Sequence, residues 1–137
     1  MYLSELNIGE KKNFLELAHY TMGLNGSHKF EEQQVLSAFE QECQLKGYKP
    51  QKQNEIDNVI KVISKASCRT RKIYVIELFG IMLADGNVCE DESNFMTELG
   101  KHFDIDEYEL RKIKRWVINM NELVLEGYQI LKKEVIC

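Results

Sequence analysis

The sequence has little of what interrupts helices or cross-links a small domain. It contains one proline, Pro50, and eight glycines in 137 residues. Because β-rich architectures need frequent turn residues, this scarcity favours helices. The cysteines are widely scattered and form no C-x-x-C pair: Cys43, Cys68, Cys89 and Cys137. That spacing predicts neither a zinc site nor a disulfide framework, and reduced thiols indicate a cytoplasmic location.

Long apolar runs are also missing. Residues 1–5 have neither the basic start nor the apolar core of a signal peptide. The uncharged run over residues 78–84 is far shorter than the roughly 20 residues that a membrane-spanning helix needs. No membrane span is therefore expected.

The composition is that of an ordinary soluble domain, with 44% hydrophobic and 29% charged residues. A chain of 137 residues is about one domain, so residues 1–137 are taken as a single unit. The net charge of -4 is unevenly spread, with acidic residues between 85 and 109 and a basic cluster that follows them. That cluster consists of Arg111, Lys112, Lys114 and Arg115. Without a net basic face or a reading-helix signature, no nucleic-acid partner is expected.

An internal repeat organises the chain. When the sequence is shifted by sixty residues, apolar positions meet apolar positions, and a glycine and the acids after it coincide. The matching pairs include Phe14 with Tyr74, Met22 with Met82, Gly26 with Gly86, Glu32 with Glu92, and Phe39 with Leu99. Each half predicts a helix, a glycine turn, a second helix and a third. The fold class is therefore all-α, a bundle of six to seven helices with pseudo-twofold symmetry, with repeats at about 8–66 and 68–137.

Local signals refine this prediction in the connections and in the last helix. Residues 67–71 are expected to connect the repeats, and Asp106 is a candidate N-cap. After it, one apolar stripe is expected to face the core, with Trp116 buried in it. The stripe contains Ile113, Trp116, Val117, Met120, Leu123, Val124, Tyr128 and Leu131. Asn119, Asn121 and Gly127 leave open whether this segment is one helix or two.

The acidic turn after Ala84 supports two interpretations. As plain structure, Gly86 reverses the chain, and Glu90, Asp91 and Glu92 occupy the first turn of a helix, where the helix dipole favours carboxylates by about 0.3–1 kcal/mol each. A capping box would need Ser, Thr, Asp or Asn three residues before the glutamate. The sequence has Cys89 before Glu92 and Lys29 before Glu32, so both glutamates lack the usual partner, although each could still accept a hydrogen bond from the backbone N–H at the cap position.

The second interpretation is a site for a hard cation. Two turns related by a twofold axis could bring oxygen ligands together, and such ligands suit calcium or magnesium. The ligand residues would be Asp85, Glu92, Glu32 and Asn25. The spacing is not that of an EF-hand loop.

The turn 83–86, followed by Glu92 and the apolar residues Phe95, Met96 and Leu99, resembles the TerB-like family of tellurite-resistance helical domains. This resemblance covers nearly the whole chain. It implies a compact all-helical module of stress-response systems, with proposed metal binding at the duplicated turns and no established catalytic activity. Asp85, Glu92 and Glu32 match the family's acidic positions, whereas Asn25 stands where an aspartate is expected. Asparagine offers a carbonyl ligand but no charge.

No catalytic constellation accompanies these features. The sequence contains no Ser-His-Asp order, P-loop or dinucleotide-binding glycine pattern, so an enzyme is not expected. The leading hypothesis is a binding or scaffold module in a stress response, with an unidentified protein partner and a cation that shifts its conformation. The alternative is a ligand-free interaction module. It includes a homodimer in which the acidic face of one chain meets the basic cluster of another.

Overall fold

The computed structural model describes residues 1–24, 30–84 and 88–132. Within these ranges the chain forms six α-helices and no strand, which confirms the all-α prediction. The helices are α1 (Ile8–Gly23), α2 (Phe30–Glu42), α3 (Ile56–Ser64), α4 (Cys68–Met82), α5 (Glu90–Phe103) and α6 (Glu107–Lys132). Short 3-10 turns at Leu3–Glu5 and Gln53–Glu55 precede α1 and α3.

The helix starts follow the sixty-residue register. α1 and α4 begin sixty residues apart, and so do α2 and α5. The first pair also begins alike, because Asn7 caps α1 and Ser67 caps α4 through side-chain oxygens. The predicted connection at residues 67–71 is therefore wrong. Ser67 accepts a hydrogen bond from the Thr70 amide at 3.1 Å, and the helix already begins at Cys68.

The core lies between α1 and α4, and the other helices pack around this pair. Phe14 of α1 meets Tyr74 of α4 edge to face at 5.4 Å and Phe39 of α2 at 5.1 Å. Tyr74 in turn meets Phe103 of α5 at 6.4 Å. These aromatic contacts join the two halves, because both partners of the central pair are fully buried. The Tyr74 hydroxyl donates to the carbonyl of Glu10, and burial raises the pKa of Tyr74.

A tight corner joins α5 to α6. Asp104 adopts a left-handed conformation with φ of 57°, and the Ile105 amide donates to the carbonyl of Gly100 at 2.8 Å. Asp106 then accepts a hydrogen bond from the Glu109 amide at 2.8 Å, which confirms it as an N-cap. The corner directs α6 back across α4 and α5.

Helix α6 departs most from expectation. It is one continuous helix, and the core stripe predicted for it is wrong beyond Val117. Only Leu110 and Val117 are buried, while Trp116 is 42% exposed beside the ring of Tyr2. The reason is length. At 1.5 Å per residue α6 spans about 39 Å, whereas α4 beneath it spans about 22 Å, so the end of α6 extends past its support.

Candidate cation site at the helix turns

Two of the four predicted ligand residues occupy equivalent buried positions. Glu32 is the third residue of α2, and Glu92 is the third residue of α5. Their exposed fractions are 1% and 2%. The other two, Asn25 and Asp85, lie outside the described residues. A buried glutamate is unusual unless hydrogen bonds or a cation compensate its charge, so the repetition sets this pair apart.

Glu92 takes part in a capping box in which a cysteine stands in place of the usual N-cap residue. The Cys89 amide donates to Oε1 of Glu92 at 3.0 Å, and the Glu92 amide donates to Sγ of Cys89 at 3.5 Å. The expectation that Glu92 could accept from the backbone amide at the cap position is therefore confirmed, although the usual Ser, Thr, Asp or Asn is absent. The thiol can accept the hydrogen bond from the Glu92 amide because its sulfur, although a weak acceptor, lies where a serine oxygen would lie. Lys29, the equivalent position in the first repeat, lies outside the described residues.

The capping bond does not use all the acceptor capacity of Glu92. A carboxylate offers about four acceptor sites on two oxygens, and the bond from Cys89 uses one of them. Helices α2 and α5, which carry the two buried glutamates, both pack on α4. Hard cations prefer such carboxylate oxygens. Among the residues that the structure describes, no three His, Cys, Asp or Glu side chains are grouped as a metal site. A complete site would therefore need the turn residues Asn25 and Asp85.

Glu16 is a buried carboxylate that sequence reasoning missed, and its environment is structural. It accepts hydrogen bonds from the Tyr48 hydroxyl, from the amides of Gln51 and Lys52 at 2.9 Å each, and from the Gln53 side chain at 3.0 Å. Burial acts to raise the pKa of Glu16, but these hydrogen bonds outweigh it and lower the pKa. Glu16 thus anchors the segment between α2 and α3. The sequence signal was a charge between the core residues Leu15 and Leu17.

Glu77 and Glu42 hold the first residues of the chain in a similar way. The Tyr2 amide donates to Glu77 at 2.8 Å, and the Leu3 amide donates to Glu42 at 2.7 Å. Glu77 is nearly buried, and it stands where the repeat has Leu17. Glu16 and Glu77 each satisfy irregular backbone, as Glu92 does at its cap, but neither has an equivalent glutamate in the other repeat.

The fold and the duplicated acidic turns define a class of small helical domains. The sequence profile described as tellurite resistance protein TerB matches residues 5–115. The chain belongs to this family, as the resemblance at the acidic turn predicted. No curated protein and no solved structure matches the chain significantly. In the described part of the chain, no helix is both long and apolar enough to cross a membrane.

Proposed function

We propose that this TerB-family chain is a non-catalytic, cytoplasmic module that binds a divalent cation, calcium or magnesium, at its acidic helix turns. Asp85, Glu92, Glu32 and Asn25 supply the oxygen ligands. The bound state presents a surface to a protein partner in a stress or tellurite-resistance-type response. The observation that carries the proposal is the burial of Glu32 and Glu92 at equivalent helix positions.

The chemistry of the ligands favours a hard cation. All four residues offer oxygen, and three of them carry a carboxylate, which suits calcium or magnesium better than a soft metal. Because Asn25 contributes a carbonyl without charge, the first turn is the weaker half. A cation that joins both turns favours the conformation in which they converge, and the two repeats transmit this preference to a partner surface.

Titration calorimetry of chelator-treated protein with calcium, magnesium and manganese tests the proposal. We expect binding together with a rise in melting temperature, since a ligand at 100 times its Kd stabilises the folded state by about 2.7 kcal/mol. Asn25→Asp should tighten binding, because it restores the missing charge. Glu92→Gln should weaken it, whereas Asp91→Asn, at an exposed neighbouring position, should change it little.

If millimolar cation gives no heat of binding and no change in melting temperature, the protein does not bind these cations and this part of the proposal is wrong. An affinity that Asn25→Asp leaves unchanged would place the site elsewhere. Glu92→Gln also alters the cap of α5, so the unfolding free energy of each variant without cation is the control for lost stability.

A ligand-free interaction module is a second candidate, favoured by the surface of α6. Beyond Val117 this helix exposes a series of large apolar side chains: Leu123, Val124, Leu125, Tyr128, Ile130 and Leu131. A helix with apolar residues on several faces is usually buried, so this segment is suited to contact another protein.

A further inference from the structure

The exposed apolar residues of α6 include one regular row on the side away from the body of the protein. We call Trp116, Met120, Leu123 and Ile130 the outer stripe. Their spacings of four, three and seven residues keep them on one side of a helix. Trp116 is 42% exposed, Leu123 and Ile130 are each 68% exposed, and Met120 is half-buried. The outer stripe therefore has the spacing of a helix–helix contact and is largely uncovered.

Most of the outer stripe faces away from the side that the protein itself uses, and Trp116 at its beginning also lies beside the ring of Tyr2. At about 100° per residue, the buried Val117 and the groove-lining Leu125 lie well around the helix from Leu123. Leu125 belongs to a groove of about 890 Å³ between α6, α2 and the end of α4. The profile match ends at residue 115, so all four residues of the stripe lie beyond the part of the chain that matches the family.

The charges beside the outer stripe divide into two halves. Lys112 and Arg115 are exposed before the midpoint of α6, and Glu122, which also lines the groove, and Glu126 are exposed after it. Lys112 and Glu126 stand seven residues to either side of Asn119. Arg115 stands four residues before Asn119, and Glu122 stands three residues after it. A second α6 that ran antiparallel, with a twofold axis near Asn119, would therefore meet opposite charges along the helix. A parallel one would meet like charges.

We propose that the outer stripe is the contact for a second copy of this chain, with the two α6 helices antiparallel about Asn119. Trp116 of each copy lies against Leu123 of the other. Lys112 pairs with Glu126 of the second copy, and Arg115 lies within one turn of its Glu122. The order of charges along α6 favours a second copy of this chain as the partner. A twofold interface brings the same patch of both subunits together, and this patch is complementary to itself. The inference names the partner for the interaction role of α6 and is independent of the cation.

One helix per subunit makes a small interface. A standard interface buries about 1,200–2,000 Å² with 20–30 residues on each side, and the outer face of α6 offers fewer. The dimer is therefore expected to dissociate on dilution, with a Kd on the order of micromolar.

Sedimentation velocity of the full chain, from about 1 µM to about 500 µM in chelator, is the first test. We expect the average mass to rise from one chain toward two. Leu123→Asp should abolish this rise, because a carboxylate would be buried against Trp116 of the second copy. Leu125→Asp is the matched control, at a similarly exposed leucine on the groove side, and it should still dimerise.

A charge exchange tests the antiparallel register. Lys112→Glu with Arg115→Glu should weaken the dimer about tenfold or more, because acidic residues then meet Glu122 and Glu126 of the second copy. Addition of Glu122→Lys and Glu126→Lys to the same chain should restore it. All substituted side chains are exposed, so we expect the helical circular dichroism of each variant to be unchanged. An unchanged spectrum shows that loss of the dimer does not come from unfolding.

A monomer at every concentration overturns the inference. So does a dimer that Leu125→Asp disrupts and Leu123→Asp does not, because the groove side would then be the contact. A dimer insensitive to the charge exchange would exclude the antiparallel register. Because calorimetry with cations has a separate readout, the cation site and the dimer can fail independently.

Discussion

At the scale of single residues, the buried carboxylates show how the bundle uses charge inside its core. Glu16 satisfies two backbone amides and two side-chain donors that would otherwise lack partners in the segment after α2. A group with several donors around it favours its ionised form, which is why the pKa of Glu16 is lowered despite burial. Its charge therefore contributes to folding stability.

Glu16 should make the protein sensitive to acid. Its folded pKa lies below the ordinary value of 4.5, so the unfolded chain takes up the proton first. The stabilisation is present above pH 4.5 and is lost as pH falls through the folded pKa. Glu16→Gln should cost about 1–3 kcal/mol at pH 7 and show a smaller loss on acidification, measured by urea unfolding from pH 7 to pH 3. An unchanged pH dependence in Glu16→Gln would contradict this account. Glu98→Gln, at an exposed position, is the control.

Two helical glycines should respond in opposite ways to alanine. A Cβ at Gly100 would lie 2.8 Å from the carbonyl oxygen of Ile105, so the α5–α6 corner would have to move. Gly100→Ala should therefore destabilise the fold by about 1–3 kcal/mol in urea unfolding. A Cβ at Gly127 meets nothing within 4 Å, and Gly127→Ala should raise helicity instead. Equal effects of the two substitutions would show that packing at the corner does not matter.

The sequence predicted the role of a residue when its hydrogen-bond partner is close along the chain. Asp106 was found as a cap because its partner, Glu109, is three residues away. Glu16 was missed because its donors lie 32 to 37 residues further along the chain. The register did identify Glu32 and Glu92 as equivalent positions, and both are buried. Whether the turns of Asn25 and Asp85 converge depends on how the repeats pack, which spacing alone does not specify.

At the scale of elements, the start of α5 shows how a cap can be overlooked. Rules for N-caps name Ser, Thr, Asp and Asn, so the sequence predicted only the bond from the cap backbone to Glu92 and no acceptor from the Cys89 side chain. The backbone of Cys89 nevertheless has the extended geometry of an N-cap, with φ of -76° and ψ of 168°. The backbone conformation therefore makes Cys89 the N-cap, and its thiol acts as a weak hydrogen-bond acceptor there.

A better acceptor at Cys89 should strengthen α5. Cys89→Ser places an oxygen near the Glu92 amide and should stabilise the protein by about 0.5–1 kcal/mol, whereas Cys89→Ala should destabilise it relative to serine by about 0.5–2 kcal/mol. Urea unfolding under reducing conditions measures both. Cys68→Ser, at an exposed cysteine that is not a cap, is the control and should change little. Equal stability of the serine and alanine variants would show that the side chain at this position does not stabilise α5 as a cap.

The helices themselves were largely predictable, but the environment of the last one was not. Apolar spacing correctly predicted helices on both sides of the acidic turns, since such spacing follows from packing on a core. In α6 the same spacing was interpreted as a core stripe, although Leu123 and Tyr128 are exposed. Periodicity reports which side of a helix is apolar. It does not report whether the same chain covers that side.

At the scale of the whole molecule, α6 divides into a part that belongs to the bundle and a part that extends beyond it. Leu110 and Val117 are buried against the body, whereas Leu125 and Leu131 are exposed. The TerB profile match ends at residue 115, close to this division. We therefore expect the helical core to fold without the outer part of α6.

Truncation after Met120 tests this division. Because the removed part of α6 contributes no residue to the buried core, the shortened chain should unfold cooperatively, with less than about 1 kcal/mol of stability lost. Leu110→Ala in the buried part of the same helix should cost about 2–5 kcal/mol, which makes it the matched control. Thermal and urea unfolding by circular dichroism measure both effects. A truncated chain without a cooperative transition would show that the end of α6 is needed for the fold. If it folds and is monomeric at the concentrations where the full chain dimerises, the outer part of α6 serves association rather than folding.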